Sequence, residues 1–203
     1  GARNAKRVLG GLAGLVVIHR AAGLHWDDWT AVDQDFDLYL LRWPQSGPDL
    51  YVVDVSGNYQ LGQPGQTPQE FVFASATGND CYALAVQRAS ATRDVCLRLS
   101  VPNVLSLLYP VSQRSLTFPA DSPHALTVAA VDVSSYDLES YSSQGPTFGP
   151  GGACSGGAIK PDIAGYANVS SVSYGPGGFN GTSAATPHVA GAAALLREMY
   201  PDY

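Results

Sequence analysis

Two kinds of hydrophobic pattern divide the chain. Between residues 26 and 101, apolar runs of strand length are separated by Gly, Pro, Asn and Ser. The runs are DFDLYLLRW, DLYVVDVS, EFVFAS, CYALAVQ and DVCLRLSV, and the separators include LGQPGQTPQ and ATGND. Several short strands at near-regular spacing predict an antiparallel β-sandwich. Upstream, the apolar stretch Val8–Ile18 contains a predicted strand at Leu15–Ile18. Residues 102–118 read as a connector with an apolar patch, VLSLLYP, and the pattern changes at Pro119. There ALTVAAVD reads as a buried strand, SYSSQGPTFGPGGACSGGAIKPDI as loop, and VSSVSY as a short strand. No internal repeat is present.

The last predicted element is a helix within GFNGTSAATPHVAGAAALL, residues 178–196. Gly175, Gly177, Gly178 and Gly181 make an adaptable approach to it. From Ser183 the residues are small and apolar, and Val189, Ala192, Ala193 and Leu196 fall on one helical face, which predicts a buried helix. Pro187 has no N–H and is tolerated near a first turn, so the helix should start close to Thr182 or Ser183. A serine there sits at the positive end of the helix dipole, beside unpaired backbone N–H groups. It can act as an N-cap. It can also act as a nucleophile whose oxyanion the helix terminus stabilises.

Composition narrows the class. The 203 residues suffice for one large domain or one and a half, and 45% hydrophobic content supports a sizeable core. The net charge is −6 with no basic run, which argues against nucleic acid. Only 14% of residues are charged, while Gly, Ser, Thr and Tyr are plentiful, a balance that favours an exported, β-rich protein. Ala5-Lys6-Arg7 ahead of Val8–Ile18 has the basic-then-apolar order of a signal peptide. His19 and Arg20 follow where small neutral residues would be needed, so a buried strand or a helix-to-strand passage is the preferred reading. No apolar run reaches transmembrane length. Of the three cysteines, Cys81 and Cys96 flank CYALAVQRASATRDVC, which looks like a hairpin that a disulfide could cross. Cys154 is left over in a Gly-rich loop, and no Cys/His spacing suggests zinc. Asp33, Asp35 and Asp37 carry oxygens suited to calcium, but no full ligand loop is readable, and a solvated acidic turn is the preferred reading.

From Pro119 on, four pieces occur in a recognisable order: ALTVAAVD (125–132), YSSQGPT (141–147), KPDIAG (160–165) and NGTSAATPHVAGAAALL (180–196). Together they resemble the subtilisin-like serine proteases, or subtilases. The resemblance implies a parallel α/β sheet with a buried C-terminal helix, and it makes Ser183 the nucleophile. It further implies an upstream Asp, a His base and an oxyanion Asn, all needed for acyl transfer. The family's Asp-Ser/Thr-Gly and His-Gly-Thr motifs do not occur here. DVSG at Asp54–Gly57 is a poor imitation of the first. None of the four histidines, His19, His25, His124 and His188, precedes Gly-Thr. His188 lies in the nucleophile motif itself, where the resemblance implies a structural role. The family's Ala-Ala-Gly-Asn aligns with Ala21-Ala22-Gly23-Leu24, so the oxyanion Asn is either replaced by Leu24 or lost in a short deletion.

The resulting expectation is the C-terminal part of a subtilase catalytic domain at residues 1–25 and 102–203, with the Asp- and His-bearing part preceding Gly1. Residues 26–101 would be a β-sandwich insert. Its DFDLYLL resembles the Asp-Leu-Tyr-Leu strand of pre-peptidase C-terminal domains. The expected function is a secreted serine endopeptidase acting on protein or peptide substrates, inactive or weak as this chain alone, with no identifiable cofactor beyond the calcium option, no membrane partner and no readable oligomeric state. The alternative is a non-catalytic relative serving as an extracellular binding module. A phosphate-binding loop would need Gly-Lys-Ser/Thr, and an α/β-hydrolase elbow would need Gly-x-Ser-x-Gly; Ser183 fits neither.

Overall fold

The computed structural model describes residues 12–16, 21–44, 47, 49–75, 80–102 and 107–202. The chain divides into two units. The first comprises Gly1–Pro110 and Gly149–Ser155; the second comprises Val111–Phe148 and Gly156–Tyr203.

The first unit is built from two antiparallel sheets. One contains β1 (Leu12–Val16), β6 (Cys81–Ser90), β3 (Asp35–Trp43) and β4 (Tyr51–Ser56), in that spatial order. The other contains β5 (Gln69–Phe73), β2 (Ala21–Trp26) and β7 (Leu97–Ser100). Alternation decides which side chains are buried. Ala22, Leu24 and Trp26 of β2 and Val72 of β5 share one core with Phe36, Leu38 and Leu40 of β3 and Tyr82 and Leu84 of β6. Trp26 meets Phe36 edge-on at 5.3 Å and donates its indole N–H to the Gln34 carbonyl at 2.9 Å. The five runs read as strands between residues 35 and 100 are all strands. Of the predicted strand Leu15–Ile18, Leu15 and Val16 lie in β1 and the rest lies outside the described residues.

The outer edge of β5 is closed by side chains rather than by another strand. Phe71 N–H donates to Ser56 Oγ at 3.2 Å, and Phe73 N–H donates to Asp54 Oδ2 at 2.7 Å. An open strand edge would otherwise offer these donors to another chain. Asp54 of DVSG thus serves a sheet edge. Beneath it, Glu70 is fully buried and accepts from Asn58 N, Asn58 Nδ2 and Gln60 Nε2 at 3.0, 2.8 and 2.8 Å, and also from the Ser56 hydroxyl. A buried carboxylate persists only when hydrogen-bonded in this way.

Three expectations are corrected in this unit. Residues 21–24, expected to end a strand at an oxyanion position, are themselves part of β2, the central strand of the three-stranded sheet. The acidic run is not a solvated turn. Asp33 is exposed and accepts from Gln34 Nε2 at 2.6 Å, but Asp35 is buried and Asp37 half-buried, because both lie on β3. Nor do Cys81 and Cys96 pair. The bridge joins Cys96 to Cys154, with 5.5 Å between Cα atoms, and Cys81 is a free thiol. β6 and β7 belong to different sheets, so the chain crosses over after Ser90 instead of turning back as a hairpin. Cys81 lies opposite Trp43 of β3.

Burial pushes the Asp35 carboxyl above its ordinary value, and the Glu70 charge adds to this. Burial does the same to Asp37, helped by the charges of Asp35 and Glu70. A carboxyl raised in the folded state contributes stability that is fully present below the ordinary value of 3.8 and is lost as pH rises through the folded value. The first unit is therefore expected to gain from these groups as pH falls from about 7 toward about 4. Trp26, Trp29 and Trp43 all lie in this unit, so tryptophan fluorescence in urea reads it selectively. Asp35→Asn with Asp37→Asn should flatten that pH dependence; an unchanged slope would assign it elsewhere.

The second unit is small. β8 (Val128–Asp132) runs parallel to β9 (Ile163–Ala167), in register from Val128 opposite Ile163 to Asp132 opposite Ala167. A hairpin of β10 (Val169–Ser171) and β11 (Gly175–Phe179) follows. It leads into α1 (Thr182–Met199), which packs on β8 and β9. No helix among the described residues is long and apolar enough to cross a membrane.

Candidate active site

The KPDIAG segment fixes where the parallel pair begins. Lys160 is buried, and its Nζ donates to the Ala125 carbonyl and to Asp162 Oδ2, both at 2.6 Å. The same carboxylate oxygen accepts from Thr127 N at 2.7 Å, just ahead of β8. The Lys160 hydrogen bond, then the Thr127 amide, hold Asp162 below the usual carboxylate range. At the other end, Asp132 Oδ1 accepts from Ser134 N and Ser135 N at 2.7 and 2.8 Å. Asn168 Nδ2 donates to Asp132 Oδ2 at 2.6 Å and to Glu139 Oε1 at 2.5 Å. The Asn168 bond first, then those serine amides, also lower Asp132.

Against this pair α1 lays its first turn. Ala184 and Ala185 are its two buried residues, and Ala185 packs with Ala130 and Ala167. Small side chains allow the close approach, and Gly165 requires it: a Cβ there would stand 2.4 Å from the Ala185 carbonyl oxygen. The helix is not buried, contrary to the sequence expectation. Val189 and Ala193 are partly covered, while Ala192 and Leu196 are exposed, as are Leu195 and Met199. An 18-residue helix is about 27 Å long. Two strands about 4.8 Å apart cover only its start.

Gly181 is the N-cap, with φ of 83°, a conformation open to glycine and costly for other residues. Its carbonyl accepts from Ala184 N and Ala185 N at 3.0 and 3.3 Å. Its own N–H donates to the Tyr141 hydroxyl at 3.0 Å. Ser183 is therefore the second residue of α1 and not its cap: no side chain caps this helix. Its side chain is exposed, and neither its Oγ nor its N–H has a hydrogen-bond partner among the described residues. Pro187 lies inside the helix, four residues on, and cannot donate to the Ser183 carbonyl as a helical residue would. The serine thus presents an uncommitted hydroxyl and an uncommitted amide at the positive end of a helix dipole.

Among the described residues no histidine is hydrogen-bonded to this serine. His188 turns back along its own helix, with Nδ1 at 2.7 Å from the Ala184 carbonyl. His124 is exposed in a turn, where its N–H donates to Ser122 Oγ at 3.2 Å. His25 lies on β2 in the first unit, edge-on to Phe71 at 5.4 Å. Burial, then the Arg98 charge, lower its pKa. His19 lies outside the described residues. Leu24 is fully buried in the core of the first unit and offers no side-chain amide. Among the described residues no group of three or more His, Cys, Asp or Glu side chains is arranged to hold a metal ion.

The model of the subtilase family matches residues 43–203. The chain belongs to the subtilase family. No curated protein and no solved structure matches it. The family assignment carries serine peptidase chemistry and protein or peptide substrates at family level. One residue of the site escaped the sequence reading. Tyr141 stood inside the recognised YSSQGPT motif without a role; the signal was a lone aromatic hydroxyl in a run of serines.

Proposed function

We propose that the chain carries the nucleophile of a serine endopeptidase, with Ser183 forming the acyl-enzyme. The observation that supports this most is the uncommitted Ser183 hydroxyl and amide at the start of α1. Ser183 Oγ would attack the scissile carbonyl carbon, its proton would pass to a base, and the base would hand that proton to the amine that leaves as the peptide C–N bond breaks. The Ser183 N–H, at the positive helix end, would donate to the developing oxyanion. The base and its Asp partner would come from a segment bearing the motifs absent here, since no described histidine engages Ser183. A serine without a base retains only a small part of the rate, so this chain alone should be weak or inactive.

The second unit is read as part of a larger subtilisin-like parallel sheet, a reading its parallel pair and the bare outer face of α1 support. The two antiparallel sheets of the first unit are read as a β-sandwich insert of pre-peptidase C-terminal type. The Cys96–Cys154 bridge favours an oxidising, extracellular location.

Intact-mass labelling with a fluorophosphonate tests this on the protein in its longest native form. One adduct is expected on Ser183, absent from Ser183→Ala, while residues 1–203 alone take up little or none. The second reading, a non-catalytic binding relative, rests on the missing base. It is the outcome if the folded longest form takes no label.

A further inference from the structure

The geometry points to Tyr141 as a positioning residue for the nucleophile, acting through the amide of Gly181. This rests on the assignment of Ser183 as nucleophile. The segment carrying Tyr141 is tied to β8 on both sides. Glu139 N–H donates to the Ala130 carbonyl at 3.0 Å, and Ala130 N–H donates to Ser142 Oγ at 3.0 Å. Ser142 is buried, so its anchor is shielded from water. Between these anchors Tyr141 projects its hydroxyl to Gly181, 3.0 Å from the amide nitrogen. Gly181 is thereby gripped at both ends, its N–H by Tyr141 and its carbonyl by the first turn of α1.

That grip matters because of where Gly181 stands. It is the last residue before the helix and adopts a positive φ, and Ser183 is two residues on. The glycines that lead to it, Gly175, Gly177 and Gly178, belong to β11, whose pairing with β10 ends at Phe179 opposite Val169. Past Phe179 only Asn180 and Gly181 join this hairpin to α1, and a glycine at such a joint has several accessible conformations. The Tyr141 hydroxyl supplies the selection. It holds the loop exit in the one conformation that leaves the Ser183 amide and hydroxyl uncommitted. The phenol accepts this bond through its oxygen, so a ring without the hydroxyl cannot replace it.

The experiment compares Tyr141→Phe and Tyr141→Leu with the unmodified protein in its longest native form. Three readouts are taken: fluorophosphonate labelling of Ser183, resolved into maximal rate and half-saturation; hydrogen exchange across residues 175–185; and melting temperature. For Tyr141→Phe we expect a maximal rate about tenfold lower, the scale of one lost hydrogen bond, with half-saturation and melting temperature nearly unchanged. Exchange at Gly181 should accelerate. Tyr141→Leu should match Tyr141→Phe in rate. If Tyr141→Phe labels at the normal maximal rate, or if only Tyr141→Leu slows, the ring and not the hydroxyl matters and the inference is overturned. If the unmodified protein takes no label, the nucleophile assignment has failed first, and the positioning role falls with it. Labelling of the unmodified protein with unchanged Gly181 exchange in Tyr141→Phe overturns the positioning role alone.

Discussion

Gly165→Ala is expected to push the first turn of α1 off the parallel pair. The new Cβ would lie 2.4 Å from the Ala185 carbonyl oxygen, 3.0 Å from its carbonyl carbon and 3.1 Å from its Cα. All three are backbone atoms, so no side-chain rotation relieves the clash. The helix must retreat by roughly 1 Å to restore ordinary contact, and overpacking of this kind costs about 3 kcal/mol or slightly less. Ala130, Ala167 and Ala185 form the small core that the retreat would open, with Val128, partly buried, packed against it. Ser183 lies in the displaced turn, two residues before Ala185, so its hydroxyl moves with it. A displacement of that size at a reacting group can cost about 10²-fold in rate. Circular dichroism at the helix band reads the stability, because α1 is the one α-helix among the described residues. Fluorophosphonate labelling of the longest native form reads the rate. A variant that melts and labels normally would mean that helix and strand are not in contact as described.

The elements most legible in the sequence were those set by local period. DFDLYLLRW and CYALAVQ show themselves as strands because they are short, largely apolar runs, the first alternating in part and the second buried from Tyr82 to Ala85. The start of α1 was legible from Pro187 and the preceding glycines, and it falls at Thr182. The role of Ser183 in that start was not. Cap and nucleophile differ only in where a hydroxyl points, and here the cap is Gly181. The burial of α1 was misjudged for a different reason. A stripe such as Val189, Ala193 and Leu196 states that a helix has an apolar face, but not whether the strands to cover it lie in the same polypeptide segment.

The acidic run was misread because charge was weighed ahead of period. Asp35 and Asp37 occupy alternate positions on β3, on the face opposite Phe36, Leu38 and Leu40, and the strand carries them inward regardless of their charge. Asp54 and Ser56 were silent in the sequence, since serving the N–H groups of Phe73 and Phe71 depends on β4 lying beside β5. Tyr141 was silent likewise: its partner Gly181 is forty residues away.

The cysteines give the last and sharpest case. Breaking the Cys96–Cys154 bridge, by Cys96→Ser with Cys154→Ser, is expected to destabilise the first unit by about 4 kcal/mol, whereas Cys81→Ser should change it by less than about 0.5 kcal/mol. The bridge spans 58 residues, and restricting so long a loop removes much of the unfolded chain's freedom. It also holds residues 149–155 within the first unit, where Gly152 lies near the Trp29 indole. Cys96 is itself anchored, its N–H donating to Asp27 Oδ1 at 2.8 Å. Cys81 stands apart at the head of β6, half-buried and unbridged. Urea unfolding followed by tryptophan fluorescence measures both effects in the same unit. Alkylation of the unreduced, unfolded chain identifies the pairing independently, with the expected adduct on Cys81 alone. An adduct on Cys154 would restore the hairpin bridge that the spacing of Cys81 and Cys96 suggested. The crossover after Ser90 would then have to be a turn, and β6 and β7 would have to be neighbours in one sheet.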